Sequence, residues 1–328
     1  MANKNLNWAV LGVGVIANEM AQALHRQGKT LYAVANRTHS KAVTFAEKYN
    51  VPKVYDNLDE IFTDDAVDVI YITTPHNTHY PFMKRALENR KHLLVEKSIT
   101  LNSRELDEMI DLAKQKNLIL AEAMTIWHMP LYKTLWKKIS DGDFGKVQII
   151  TLNFGSFKEY DMSNRFFNME LAGGALLDIG VYALSIVRSF MAETPTEILS
   201  QWKPSPTGSD EMSTLLLKNS CGQMATVALS MHSKQPKRAV ISCERGYIEI
   251  MEYPRAEKAI FVDAETGAVK EIFAGEQTNA LYYELEDMER AIHSGDPSIM
   301  RLDFSKDVMD IMTALRKAWN LRYPNETW

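Results

Sequence analysis

Val10-Leu11-Gly12-Val13-Gly14-Val15-Ile16-Ala17 is the stretch whose reading decides the fold. It ends a short apolar run, Leu6–Leu11, that reads as a buried strand. It opens Ile16–Gln27, a run with helical spacing that stops at Gly28. Between strand and helix the residues fit G-x-G-x-x-A. Gly12 permits the tight turn, Gly14 lets the backbone approach a pyrophosphate, and Ala17 lets helix and strand pack closely. The start of such a helix, at Val15 and Ile16, offers free N–H groups and a partial positive charge to phosphates. The competing reading is a glycine turn with no ligand; the strand–turn–helix context favours a dinucleotide.

Outward from this motif, strands and helices alternate. Leu31–Asn36, Lys53–Tyr55, Asp68–Thr73, His92–Glu96 and Leu118–Glu122 read as strands, and Ser40–Tyr49, Leu58–Phe62, Thr78–Asn89 and Ser103–Gln115 as helices. That alternation predicts an α/β fold with a doubly wound parallel sheet of the Rossmann type. The strands are apolar throughout, as expected when helices cover both faces. After Ala123 the pattern changes. Leu131–Ser140 reads as a helix, Val147–Phe154 as a strand and Gly173–Phe190 as one long apolar helix. Met212–Leu217, Gly222–Met231, Arg238–Cys243, Tyr247–Met251, Ala259–Val262 and Val269–Phe273 are strand-like, and many of the turns between them contain Gly or Asn. The expectation is a first domain over 1–122 and a second, α+β, over 123–328 with a large, mostly antiparallel open sheet. Two closing helices, Ala280–His293 and Asp303–Trp319, are free to pack back on the first domain.

The bulk composition excludes several classes. With 328 residues, 46% hydrophobic and 24% charged, the chain is long enough for about two domains and is not a disordered composition. A net charge of −5 without a basic stripe argues against nucleic acid. The two cysteines, Cys221 and Cys243, have no metal-ligand spacing and read as free, buried thiols, so no metal is expected. Neither a leader-like start nor an uninterrupted apolar run of about 20 residues is seen, and the reading is a cytoplasmic protein with no membrane partner.

The second strand ends in Asn36-Arg37-Thr38, without the carboxylate that would accept hydrogen bonds from the ribose of NAD. Arg37 suits a 2′-phosphate, and Asn36 and Thr38 add polar contacts, so NADP is the expected cofactor, with NAD as the alternative. Thr73, Thr74, Pro75, His76 and Asn77 follow the third strong strand and should line the cleft beyond the strand ends, with His79 a further candidate there.

These residues resemble the glucose–fructose oxidoreductase/inositol dehydrogenase family (Gfo/Idh/MocA). The resemblance rests on the glycine motif, Thr73-Thr74-Pro75-His76-Asn77-x-His79, Val95-Glu96-Lys97, and Gly173-Gly174-Ala175-Leu176-Leu177-Asp178-Ile179-Gly180-Val181-Tyr182. It spans nearly the whole chain, and the Asp-Ile-Gly-Val-Tyr segment is most similar to the dimeric dihydrodiol dehydrogenase branch, which uses NADP. Two departures stand out: Ser98 replaces the proline of Glu-Lys-Pro, and Tyr182 stands where many members carry His.

The resemblance implies an oxidoreductase in which Glu96 and Lys97 also line the cofactor cleft. Lys97 would stabilise a developing alkoxide as a cation. Tyr182 would be the acid/base, its phenol lowered from about 10 by a nearby ammonium. Asp178, four residues earlier on the same helical face, would contact substrate or orient the catalytic group. Each has an ordinary alternative: an ion pair of Lys97 with Glu96, a core tyrosine, a helix-start aspartate. Trp127 and Phe154 are candidate apolar walls, and Arg165, Glu122 and His128 polar residues within reach. The expected substrate is a small sugar, cyclitol, dihydrodiol or dicarbonyl. A non-catalytic NADP-binding sensor of the same fold is the alternative. The open sheet face is expected to pair two copies as a homodimer.

Overall fold

The computed structural model describes residues 5–324 and 326–328, which divide into two compact units. The first runs to Thr100, resumes at Arg104–Ala123 and adds Thr278–Leu302; the second comprises Leu101–Ser103, Met124–Gln277 and Asp303–Trp328.

The first unit is built on six parallel strands: β1 (Trp8–Leu11), β2 (Ala33–Ala35), β3 (Lys53–Val54), β4 (Val69–Ile72), β5 (His92–Glu96) and β6 (Leu120–Ala123). Their order is β3-β2-β1-β4-β5-β6. The order reverses between β1 and β4, where Ala9 lies between Ala33 and Ile70. Such a reversal opens a crevice beyond the carboxyl ends of the strands, where α/β sheets bind ligands. All residues of β1, β2, β4 and β6 are buried, which explains the uninterrupted apolar runs of the first three; β6 carries the buried Glu122. Helix Ala280–Ser294 belongs to this unit. Leu281, Leu285, Met288 and Ala291 place its apolar stripe in the same core as Ala17, Met20 and Leu24 of helix Val15–Arg26.

The second unit carries eight strands: β7 (Val147–Gly155), β8 (Glu197–Pro204), β9 (Asp210–Lys218), β10 (Met224–Ser230), β11 (Gln235–Cys243), β12 (Gly246–Met251), β13 (Lys258–Asp263) and β14 (Val269–Phe273). Their order is β14-β13-β12-β11-β7-β10-β9-β8. Every pair is antiparallel except β7 with β10. The expected parallel sheet plus large, mostly antiparallel sheet is therefore what the chain forms. β8, which the strand pattern misses, lies at the sheet edge, and its exposed and half-buried residues alternate from Glu197 to Lys203 without a fully buried face.

Two further expectations are corrected. Gly173–Phe190 is not one α-helix: a π-helical turn, Leu176–Gly180, precedes the α-helix Val181–Phe190, and Gly173 and Gly174 stay outside both. The segment Met169–Phe190 is long and apolar enough to cross a bilayer by composition, but 78% of its apolar window is buried inside this unit, as a core helix requires. The cysteines are not both buried: Cys221 is exposed in the β9–β10 turn and Cys243 is half-buried.

The second unit is pinned by a fully buried ion pair. Arg316 on helix Leu302–Ala318 donates to both carboxylate oxygens of Glu326, at 2.8 and 2.6 Å, and to the Leu101 carbonyl at 2.5 Å. Asn102 donates to the same carboxylate at 2.8 Å. Removing one partner strands the other charge in a dry interior. Glu326→Ala is expected to lower unfolding stability by about 3–5 kcal/mol, read from the urea midpoint.

Candidate active site

At the glycine turn, Gly12 has φ +101° and approaches the next strand end so closely that an added Cβ would lie 2.9 Å from Thr73 Oγ1 and 3.1 Å from Thr73 O. The Thr73 hydroxyl lies 3.2 and 3.1 Å from the carbonyls of Leu11 and Gly12, fastening β4's end to the turn. Gly14 faces open space, and no side chain caps the helix that begins at Val15. Val15 is 79% exposed. The first N–H groups of that helix are thus left to an outside acceptor, as a pyrophosphate cradle requires.

At the end of β2, Asn36 donates to the Thr38 carbonyl at 2.9 Å, tightening the loop. Arg37 and Thr38 are exposed. Arg37 forms no ion pair among the described residues, and the Thr38 side chain does not cap helix His39–Tyr49. A cation at a strand end with no carboxylate beside it suits an added phosphate.

The loops after β4 and β5 are tied together through the backbone of Lys97-Ser98-Ile99. His76 Nε2 lies 3.0 Å from the Lys97 carbonyl. His79 reaches the Ser98 carbonyl with Nδ1 at 3.0 Å and the Thr74 carbonyl with Nε2 at 2.8 Å. Glu122, buried at the end of β6, accepts the Ile99 N–H at 3.0 Å. Three side chains, two beyond β4 and one at the end of β6, therefore hold the segment that carries Lys97, while the Lys97 side chain itself is half-buried. Burial holds the His79 imidazole below its ordinary pKa against the pull of the two carbonyls, and the Lys97 charge acts in the same direction. Tyr71 donates to Glu96 within the sheet. The Lys97–Ser98 peptide bond is cis.

In the second unit, the helical segment from Ala175 to Val187 is buried at every position except Asp178 and Tyr182, which are half-buried. The spacing of four thus puts both on one accessible stripe of this otherwise buried stretch. Asp178 pairs with Arg165 at 3.6 Å, and the Arg165 guanidinium lies 4.6 Å from the Phe166 ring centre. Phe154 on β7 packs against the Tyr182 ring at 6.2 Å and against Tyr253 at 5.9 Å.

With this geometry in hand, comparison with known proteins gives a consistent result. Residues 6–124 match the family described as GFO/IDH/MocA oxidoreductases with an NAD-binding Rossmann fold, and residues 132–249 match the GFO/IDH/MocA C-terminal domain. The chain belongs to the GFO/IDH/MocA family. Among its family relatives, the trans-1,2-dihydrobenzene-1,2-diol dehydrogenase of Xenopus tropicalis is 29% identical, over 97% of this chain and 99% of its own. The Mus musculus protein of the same name is 27% identical over 98% and 99%. Among solved structures, an aldose-aldose oxidoreductase from Caulobacter crescentus superposes with TM-score 0.84 at 24% identity, covering 97% of this chain and 99% of its own. A 3-ketoreductase from Actinomadura kijaniata in complex with NADP and TDP-benzene gives 0.82 at 19%, covering 95% and 96%.

Set against the GFO/IDH/MocA frame, the candidates sort by environment. Gly12 meets Thr73 at the strand ends of the first unit, Gly14, Val15 and Ile16 follow it into the helix start, Thr74 is half-buried, and Pro75 and Asn77 are exposed. His79 is corrected from cofactor contact to loop tether: it is fully buried with both ring nitrogens on backbone carbonyls. Trp127 is corrected from substrate wall to core, since it is 1% exposed and packs edge-on to Phe304. His128 is likewise completely buried. Asp210 is a residue the sequence reading misses. It lies against Gly174, whose φ is +133° and where an added Cβ would collide with the Asp210 carboxylate. No local motif signals it, because the approach is made by a strand distant in sequence. Gly174→Ala is expected to cost about 2–4 kcal/mol, from backbone strain plus overpacking, visible as a lower urea midpoint.

Proposed function

We propose that this GFO/IDH/MocA oxidoreductase is an NADP-dependent dehydrogenase/reductase acting on a hydroxyl-bearing or carbonyl carbon of a small dihydrodiol, sugar, cyclitol or dicarbonyl. The observation that carries this reading is the triple backbone tether of Lys97 at the carboxyl edge of the parallel sheet. Fixing a flexible lysine's backbone at that edge makes sense if its ammonium must meet a reacting oxygen.

The glycine turn, with Gly14 facing open space and an uncapped helix start, fits a dinucleotide pyrophosphate, and Arg37 fits the 2′-phosphate. When bound, the nicotinamide supplies or accepts the hydride. The residues of this chain manage everything else. In the reducing direction Lys97 stabilises the charge growing on the carbonyl oxygen, and Tyr182 gives that oxygen the phenolic proton, leaving an alcohol. In the oxidising direction Tyr182 takes the proton back. Asp178, restrained by Arg165, orients the hydroxyl groups of the substrate. The likeness to proteins named trans-1,2-dihydrobenzene-1,2-diol dehydrogenase favours a vicinal diol or its carbonyl product. The exposed sheet face, which carries Ile149, Leu199, Leu216 and Met224, is assigned to a second copy of the chain.

The test is a turnover screen with NADP⁺ and NADPH against dihydrodiols, aldoses, cyclitols and dicarbonyls, followed at the nicotinamide absorbance. Turnover of at least one class is expected. Tight NADPH binding without turnover of any would replace the enzyme reading with the sensor. Sedimentation of the purified protein as a monomer at micromolar concentration would remove the dimer.

A further inference from the structure

Asp210 opens β9 and is completely buried. Its Oδ2 accepts the Leu176 N–H at 2.6 Å. Leu176 is the first residue of the π-helical turn, so that N–H has no acceptor within its own helix. Oδ1 has no hydrogen-bond partner and faces Gly174. The charged and titratable groups around the carboxyl come from two further elements. Arg316 lies on the last helix and is committed to Glu326 and the Leu101 carbonyl. Tyr323 and Glu326 lie in the terminal segment, where the Tyr323 hydroxyl donates to the Gly173 carbonyl at 2.9 Å. Asp210 thus has no ion pair of its own among the described residues. The glycines at 173 and 174 are held from two sides, and two residues beyond Leu176 the chain reaches Asp178, then Tyr182.

We propose that Asp210 is a positioning residue for Asp178 and Tyr182, acting through the backbone of residues 174–176. The proposal rests on the functional reading above, in which those two side chains serve the substrate. Geometry assigns the role, because the half-buried Asp178 and Tyr182 lie two and six residues beyond the N–H that Asp210 accepts. Burial pushes the Asp210 carboxyl up to about 7, partly offset by the Leu176 N–H and by Arg316. A raised pKa means that the closed interior disfavours the ionised form. Opening that exposes this carboxyl therefore becomes easier as pH rises from the ordinary carboxyl range through about 7, because the burial cost of the ionised form outweighs the stronger acceptor it offers the Leu176 N–H.

Amide hydrogen exchange over residues 173–182, corrected for the intrinsic pH dependence, reads this without any substrate. Wild-type protection is expected to fall about tenfold between about pH 6 and pH 8. Asp210→Asn keeps the shape and the acceptor but cannot ionise, so its protection should be flat across that range. Asp210→Ala should lose protection at least about tenfold throughout. In turnover, Asp210→Ala should lower kcat at least about tenfold with the KM for NADPH unchanged, and Asp210→Asn should remove the wild-type decline above about pH 7. A wild-type exchange profile without the pH step, or an Asp210→Asn profile that keeps it, overturns the proposal. So does Asp210→Ala with wild-type protection and kcat. If the wild type turns over no substrate, the functional reading fails alone, and the exchange profiles still decide the role of Asp210.

Discussion

Lys97→Ala is expected to lower kcat by about 10²–10³-fold, and Tyr182→Phe by about 10²–10⁴-fold, while NADPH binding survives in both. Under the proposed mechanism the two losses have different origins. Lys97 contributes a positive charge where alkoxide charge grows, an interaction stronger in the transition state than with bound substrate, so kcat falls more than KM rises. Tyr182 contributes the proton itself. If both act on one oxygen, the double variant should be little worse than the poorer single variant, since groups acting as a unit are not additive. Stability controls the interpretation. Lys97 and Tyr182 are both half-buried, and Tyr182→Phe keeps the ring that packs on Phe154. Steady-state kinetics with NADPH fluorescence titration would check these outcomes; full activity in either variant removes that residue from the mechanism.

What the sequence disclosed and what it hid divide along a physical line. The turn at Gly12 was legible because its requirements are local: a positive φ, a close approach and a helix start, all within eight residues. The parallel sheet was legible because strands covered on both faces must be apolar throughout. The edge strand β8 was not, since an edge carrying Glu197, Gln201 and Lys203 has no reason to look like a core. The parallel pairing of β7 with β10 was hidden as well, because it joins strands separated by a helix and a hairpin. In the candidate site, Asp178 and Tyr182 were readable as one face because spacing alone decides it. Trp127 was misread because an aromatic beside a strand end is equally a wall or a core residue, and only its packing on Phe304 distinguishes them. Asp210 and the tether formed by His76, His79 and Glu122 were out of reach for one reason. Each is a side chain meeting backbone from another element, and no periodicity encodes such a meeting.

Arg37→Ala is expected to lower kcat/KM for NADPH by about 10–100-fold and leave that for NADH within about threefold, the scale of one charge-assisted contact of about 1.5–3 kcal/mol. The argument turns on what surrounds Arg37. It is exposed and forms no ion pair among the described residues, so its removal leaves no buried charge behind and the unfolding midpoint should not move. The whole effect should therefore appear in cofactor discrimination. Arg37→Lys should restore only part of it, because an ammonium offers a point charge where a guanidinium offers a planar fork. Asn36→Asp tests the same site from the other side. A carboxylate at the end of β2 would accept from the two ribose hydroxyls of NADH and repel a 2′-phosphate, so the variant should shift toward NADH. Both effects should weaken with added salt, since the contact lies at the surface. A wild-type enzyme that already prefers NADH, or an Arg37→Ala variant that loses both cofactors equally, would assign Arg37 to something other than the 2′-phosphate and leave the choice of cofactor to another part of the crevice.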